Sequence, residues 1–254
     1  MKHSPTLRAV FYLLLSLSGM LLGALFPEPF SALFHLVFVL LAVFTEKTCF
    51  AGAALPRFAC RGKHFLWLIF PAFCFFTLGA NLLSSYAVRA LGGTLPAVVP
   101  SVSLFVGAVV IAPIAEELLF RGLLLRLFEG YGERFAILLS AVLFALAHGN
   151  LFQMPYALVA GVLLGYTATL AGGIFFPLAF HFLYNLLAFF GGKISPLLLF
   201  SLLGGAALVT LFLLWKKRRL SLPKGGAIPT GRALLPLLFY GALMLTFILL
   251  KEFV

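Results

Sequence analysis

The fold class this sequence predicts is all-α, a polytopic transmembrane helical bundle of about eight or nine spans, and three observations predict it. Hydrophobic residues make up 63% of the chain and charged residues only 10%. Mean hydropathy is +1.15. The apolar residues gather in runs that approach or exceed the roughly 20 residues a helix needs to cross a hydrocarbon core. The connections between the runs are too short to fold separately, so residues 1–254 are expected to form a single membrane domain.

Taken in order, the expected spans are Leu7–Phe26, Phe30–Thr45, Phe65–Val88, Ser101–Phe128, Phe135–His148, Pro155–Ala171, Ile174–Phe190, Pro196–Trp215 and Ala233–Leu250. The first follows Lys2 and Arg8 as a secretory signal would. It is longer than the about 7–15 apolar residues of a signal and lacks a convincing small-residue cleavage site, so it reads as a span. The second and fifth are short enough to be extended, tilted or partly re-entrant.

Net charge is +11. In a soluble protein that balance would suggest nucleic acid, but here the basic residues sit in the short connections, where topology explains them and no nucleic-acid partner is expected. With the amino terminus inside, the cytoplasmic ends collect Lys2, Arg8, Lys47, Arg57, Arg61, Lys63, Arg126, Arg134, Lys216, Lys217, Arg218, Arg219, Lys224 and Arg232. The opposite side receives Arg89, Lys193 and Lys251. Fourteen against three is a strong positive-inside asymmetry. The run Lys216-Lys217-Arg218-Arg219 reads as a stop-transfer anchor that also touches anionic lipid. Cys49, Cys60 and Cys74 show no C-x-x-C spacing and are odd in number, so they read as free thiols.

The fourth span breaks the apolar pattern with Ala112-Pro113-Ile114-Ala115-Glu116-Glu117-Leu118-Leu119-Phe120-Arg121-Gly122. The chain has no Asp and only seven Glu, so two adjacent acids in a span are unlike incidental decoration. An ionisable group near a bilayer centre costs on the order of 2.5–3.5 kcal/mol even on insertion scales, and such groups face protein or water and carry function. Glu117 and Arg121 are four apart and share a helical face, whereas Glu116 is turned about 100° from Glu117 and has no partner on its own helix.

Three further polar residues fall at similar depth. At about 1.5 Å per residue, Glu116 lies roughly 18 Å from the cytoplasmic end of its span, His148 about 21 Å, and His181 and Asn185 about 12–18 Å. His181 and Asn185 are four apart on one face; Phe144 lies one turn before His148, and Gly149-Asn150 ends that helix. Each residue alone has a structural explanation. Glu117 with Arg121 makes an internal ion pair, His181 a packing residue, Asn185 helix-to-helix glue and His148 an interfacial histidine. His35, Asn81 and Gln153 show no chemical partner at useful spacing. Glu116, His148, His181 and Asn185 together are much harder to explain by packing.

Glu116-Glu117-x-x-x-Arg121, then Phe144-x-x-x-His148, then His181-x-x-x-Asn185, in that order on successive apolar helices, resembles the CPBP family of intramembrane proteases. That family comprises the CAAX prenyl endopeptidases and the bacteriocin-processing or immunity-related (Abi) proteins. The resemblance covers about Ser101–Phe190, with residues 101–190 as the catalytic core. It implies peptide-bond hydrolysis inside the membrane. Glu116 and His148 would activate water, His181 and Asn185 would stabilise the oxyanion, and Glu117, Arg121 and Phe144 would support the site. The expected partners are the lipid bilayer and a membrane-associated protein or peptide: a prenylated tail, a bacteriocin leader or an anchored protein's sorting tail. The expected setting is the plasma membrane of a bacterium or archaeon.

No resident cofactor is expected, with one rival chemistry left open. Glu116, His148 and His181 also resemble a catalytic zinc set with an open water position, although the H-E-x-x-H signature is absent. A different class of function also stays open, a proton- or ion-coupled transporter that uses the same Glu and His residues as a relay. The absence of internal repeats and of paired interrupted helices counts against it.

Overall fold

The computed structural model describes residues 4–50, 52, 54–60, 64–92, 99–191, 195–216, 222–227 and 229–253, with the backbone alone for 191, 196 and 250–253. Lys2, Arg61, Lys63, Lys193, Lys217, Arg218 and Arg219, which carry much of the charge asymmetry, lie outside the described residues, as does the side chain of Lys251.

Among the described residues the chain is helical and has no strand. In chain order the helices are α1 (Pro5–Gly23), α2 (Phe30–Cys49), α3 (Phe70–Ala90, entered through a 3₁₀ stretch, His64–Ile69), α4 (Val102–Tyr131), α5 (Glu133–Ala147), α6 (Met154–Ala171), α7 (Phe175–Gly191), α8 (Pro196–Lys216) and α9 (Gly231–Phe253). Seven apolar stretches are long enough to cross a membrane, and α5 and α7 are shorter. The molecule is an integral membrane protein.

The expected spans differ from the helices mainly at their ends. Helix α1 begins at Pro5, whose missing N–H is no loss in the first turn, and stops at Gly23, where an added Cβ would come within 2.6 Å of the Ser31 carbonyl oxygen. Helix α2 runs past Thr45 to Cys49, because Glu46 turns inward to partners on α1 instead of ending the span. Helix α5 closes at Ala147; His148 is its cap and Gly149 follows with φ 61°.

Helix α4 is the centre of the bundle and touches α1, α2, α5, α6 and α7. It is not a regular α-helix. Two wide π-helical stretches, Phe105–Ile111 and Leu118–Leu124, bracket the α-helical Ala112–Glu117. All seven residues of the second wide stretch are buried. Single π turns recur at functional sites, since the extra residue re-aims neighbouring side chains and frees backbone groups. Around this helix, α5 packs on α6, with Gly161 so close to Ala141 that a Cβ would meet it at 2.9 Å. Small residues of this kind let membrane helices approach closely. Helix α8 packs on α3 and turns Leu197, Leu202, Leu208, Phe212 and Trp215 outward, as a lipid-facing helix does.

Candidate active site

The α4 triplet is built as a network, not an isolated pair. Arg121 Nη1 donates to Glu117 Oε1 at 2.8 Å, with both side chains fully buried. Arg121 Nη2 donates to the Gly161 carbonyl on α6 at 3.2 Å, and its guanidinium lies 4.4 Å from the Phe144 ring centre on α5. The same Glu117 oxygen accepts from His181 Nδ1 on α7 at 2.9 Å. One acid therefore ties α4, α6 and α7 together through two donors. The pairing of Glu117 with Arg121 is as the spacing predicts, but Glu117 also holds an imidazole, so its geometry is not satisfied within its own helix.

That contact orients His181. A carboxylate only accepts, so Nδ1 carries the hydrogen, and Nε2 is turned toward Glu116, whose Oε2 lies 3.6 Å away. The distance is beyond a hydrogen bond, and no hydrogen bond holds Glu116 among the described residues. Unpartnered along α4, Glu116 nevertheless has a neighbour across the bundle.

His148 is fixed in the same manner. Its Nδ1 donates to the Phe144 carbonyl at 2.8 Å, because a carbonyl can only accept, and this leaves Nε2 as the nitrogen free for chemistry. The Phe144 ring stands edge-on to His148 at 4.7 Å and to His181 at 5.9 Å, besides carrying Arg121. Phe144 is thus an aromatic post around which both imidazoles and the guanidinium are set.

Asn185 has a specific backbone partner. In the first wide stretch the Ala112 N–H bonds to Gly107 O, five residues back. The next donor in that pattern would be residue 113, which is proline and has no N–H. The Ala108 carbonyl is left without a helical donor, and Asn185 Nδ2 donates to it at 2.9 Å. A carboxamide has a second N–H hydrogen besides this one.

Two cavities meet at these residues. The larger, about 450 Å³, is lined by Glu116, His148, His181 and Asn185, with Gln153, Tyr156 and Tyr184 and an apolar wall that includes Phe73, Leu104 and Phe189. The smaller, about 210 Å³, is lined by Ser16, Met20, His35, Glu116, Phe120, Phe144, Ala147, His148 and Gln153. All four residues singled out in the sequence thus face one cavity. Glu117 and Arg121 lie behind it, fully buried.

Sequence reasoning set His35 and Gln153 aside, and both line a cavity with Glu116. His35 has a partner after all, with its Nε2 2.8 Å from Ser16 Oγ. The partner is on another helix, so no spacing within the sequence announces it. Asn81 accepts from Ser85 Oγ at 3.4 Å, one turn along its own helix. Tyr156 was missed altogether; its ring stands 6.5 Å from that of His148. Cys49, Cys60 and Cys74 are free. Among the described residues no group of three or more His, Cys, Asp or Glu side chains is gathered closely enough to hold a metal ion. As arranged, Glu116, His148 and His181 do not fit a zinc ligand set.

No curated protein and no solved structure matches the chain. A family model does match residues 98–187, that of the type II CAAX prenyl endopeptidase Rce1-like family. The matched stretch runs from just before α4 into α7 and contains every residue of the three motifs. Through residues 98–187 the chain is similar to the CAAX-type endopeptidases of the CPBP family of intramembrane proteases.

Proposed function

We propose that Glu116, with His148, activates a water molecule that hydrolyses a peptide bond of a membrane-associated, prenylated protein tail held in the 450 Å³ cavity. The observation that carries this reading is that Glu116, His148, His181 and Asn185, from three helices, all line that one cavity. Its apolar wall of Phe73, Leu104 and Phe189 suits the aliphatic residues of a C-a-a-X tail.

The water gives a proton to the Glu116 carboxylate, and its oxygen attacks the scissile carbonyl carbon. His148 Nε2, the nitrogen left free by the bond to Phe144, is suited to share that proton. Negative charge develops on the carbonyl oxygen. His181, in its doubly protonated form with a hydrogen on Nε2 besides the Nδ1–H given to Glu117, and the second N–H hydrogen of Asn185 supply its stabilisation, and one such donor in a water-poor site is worth about 2.7–4 kcal/mol. The C–N bond then breaks as the proton passes from Glu116 or His148 to the leaving nitrogen, the hydroxyl proton left on the new carboxyl group passes by way of Glu116 to the amine, and a carboxylate and an ammonium group are released. Glu117 and Arg121 position His181 and take no part in proton transfer. The charge asymmetry of the connections supports an amino terminus on the cytoplasmic side, which would bring prenylated tails to the site from the cytosol.

The test uses purified protein in detergent or liposomes and an internally quenched peptide ending in a prenylated C-a-a-X tail. Glu116→Gln should remove cleavage while the protein stays folded by thermal denaturation. Cleavage at the wild-type rate would remove Glu116 from its role.

A further inference from the structure

The smaller cavity differs in character from the larger one. Its far side is formed by Ser16 and Met20 of α1 and His35 of α2, helices that lie outside the matched residues 98–187. Glu116, Phe144, His148 and Gln153 border both cavities, so the base and its imidazole stand in the partition between them. On the small-cavity side, Ser16 and His35 form a buried hydrogen-bonded pair at 2.8 Å, 4% and 9% exposed. Such a pair in an apolar helix hairpin is a local polar site. Helix packing alone does not require its placement facing Glu116.

We infer that this cavity is the water chamber of the enzyme: the Ser16–His35 pair holds water against the α1–α2 side of Glu116, while the substrate tail occupies the larger cavity on the other side. The inference rests on the reading of Glu116 as the base. At about 210 Å³ the cavity has room for several water molecules. Apolar cavities of this size stay dry, but this one presents Ser16, His35, Glu116, His148 and Gln153, enough polar partners to keep water bound. Each turnover consumes one water, its oxygen entering the new carboxylate and both its hydrogens ending on the released ammonium group. A site walled by apolar helices needs a store of water that the substrate does not displace. The partition supplies that separation, with Glu116 reached by water from one side and by the scissile carbonyl from the other. His35 and Ser16 are positioning residues, because they act through the water and touch no reacting atom of the substrate.

Two measurements test this on the full-length protein. Radiolytic labelling in heavy-oxygen water marks side chains that touch bound internal water. Met20 should take up the label in the wild type and lose most of it in His35→Leu and in Ala147→Leu, which fill or dry the chamber. With the quenched prenylated peptide, both variants should lower kcat about tenfold, the loss of one water-holding hydrogen bond, with KM changed less than twofold. His35→Gln, whose amide can reach Ser16 as the ring does, should recover most of the rate. An unlabelled Met20 in the wild type would overturn the inference, as would unchanged kcat in both filling variants. A rise in KM at constant kcat would also overturn it, by making the chamber a substrate subsite. Failure of the base reading looks different, since Glu116→Gln would then cut normally while Met20 labelling still reports the chamber.

Discussion

Glu46 on α2 and Glu116 on α4 both sit among apolar helices with an arginine nearby, yet they are held in opposite ways. Glu46 is fully buried and both of its oxygens are taken. Oε2 accepts from Arg8 and from the Tyr12 hydroxyl, the latter at 2.5 Å, and Oε1 accepts from the Ala54 N–H at 3.0 Å. The Arg8 guanidinium also rests 4.7 Å from the Phe50 ring centre. The cluster fastens α1 to α2. Glu116 has no hydrogen bond among the described residues, keeps 20% of its side chain exposed and borders two cavities. The arginine of its neighbourhood is spent on Glu117. A buried acid with both oxygens matched is a fastening, whereas one left open beside a cavity keeps its oxygens available.

The largest effect that would sharpen this contrast is on rate at the open acid. Glu116→Gln should lower kcat by about 10²–10⁴-fold, the usual contribution of a general base, with the melting temperature nearly unchanged. At the closed acid the effect should appear in stability instead. Glu46→Ala strands the Arg8 charge and should cost about 3–5 kcal/mol in reversible denaturation, while the protein that remains folded keeps its kcat. Loss of kcat without loss of stability at Glu46 would break the comparison.

Arg121→Lys lies between the two. It keeps a charge for Glu117 but loses the Gly161 bond and the flat contact with Phe144, so about 1.5–3 kcal/mol of stability should go, with a lower kcat because Glu117, the anchor of His181, is held less firmly. Asn185→Ala leaves the Ala108 carbonyl without a donor, for about 1–3 kcal/mol in the same denaturation experiment. A kcat loss in Asn185→Ala beyond that of a destabilised control would assign the second N–H hydrogen to the oxyanion. The smallest expected effect is from chelation. Prolonged dialysis against a zinc chelator should leave cleavage unchanged, and loss of activity restored by added zinc would require a rearranged ligand set.

How much was legible in the sequence depends on whether a relation lies within one helix or between two. The spans were legible because length and apolarity are read directly along the chain; α2 extended beyond Thr45 only because Glu46, which looks like a polar end, finds Arg8 and Tyr12 on another helix. The Glu117–Arg121 pair was legible from its spacing of four, and the polar residues of α5 and α7 from their contrast with apolar surroundings. The carbonyl that Asn185 satisfies was not, although Pro113 announces that some carbonyl goes without its donor, because the register of a wide helical stretch is not written in residue order.

The sequence by itself determined an integral membrane helical protein, the order of its three motifs and the pairs that a 3.6-residue turn brings together. Only the tertiary structure decided that His181 is anchored by Glu117 and faces Glu116, that His35 and Ser16 meet, and that Glu116 stands between two cavities. The physical reason is that backbone periodicity fixes neighbours along a helix from local geometry alone. Which faces meet across a bundle follows from the rotation and packing of several helices at once, and α4, touching five others with two wide turns in its length, sets most of those rotations.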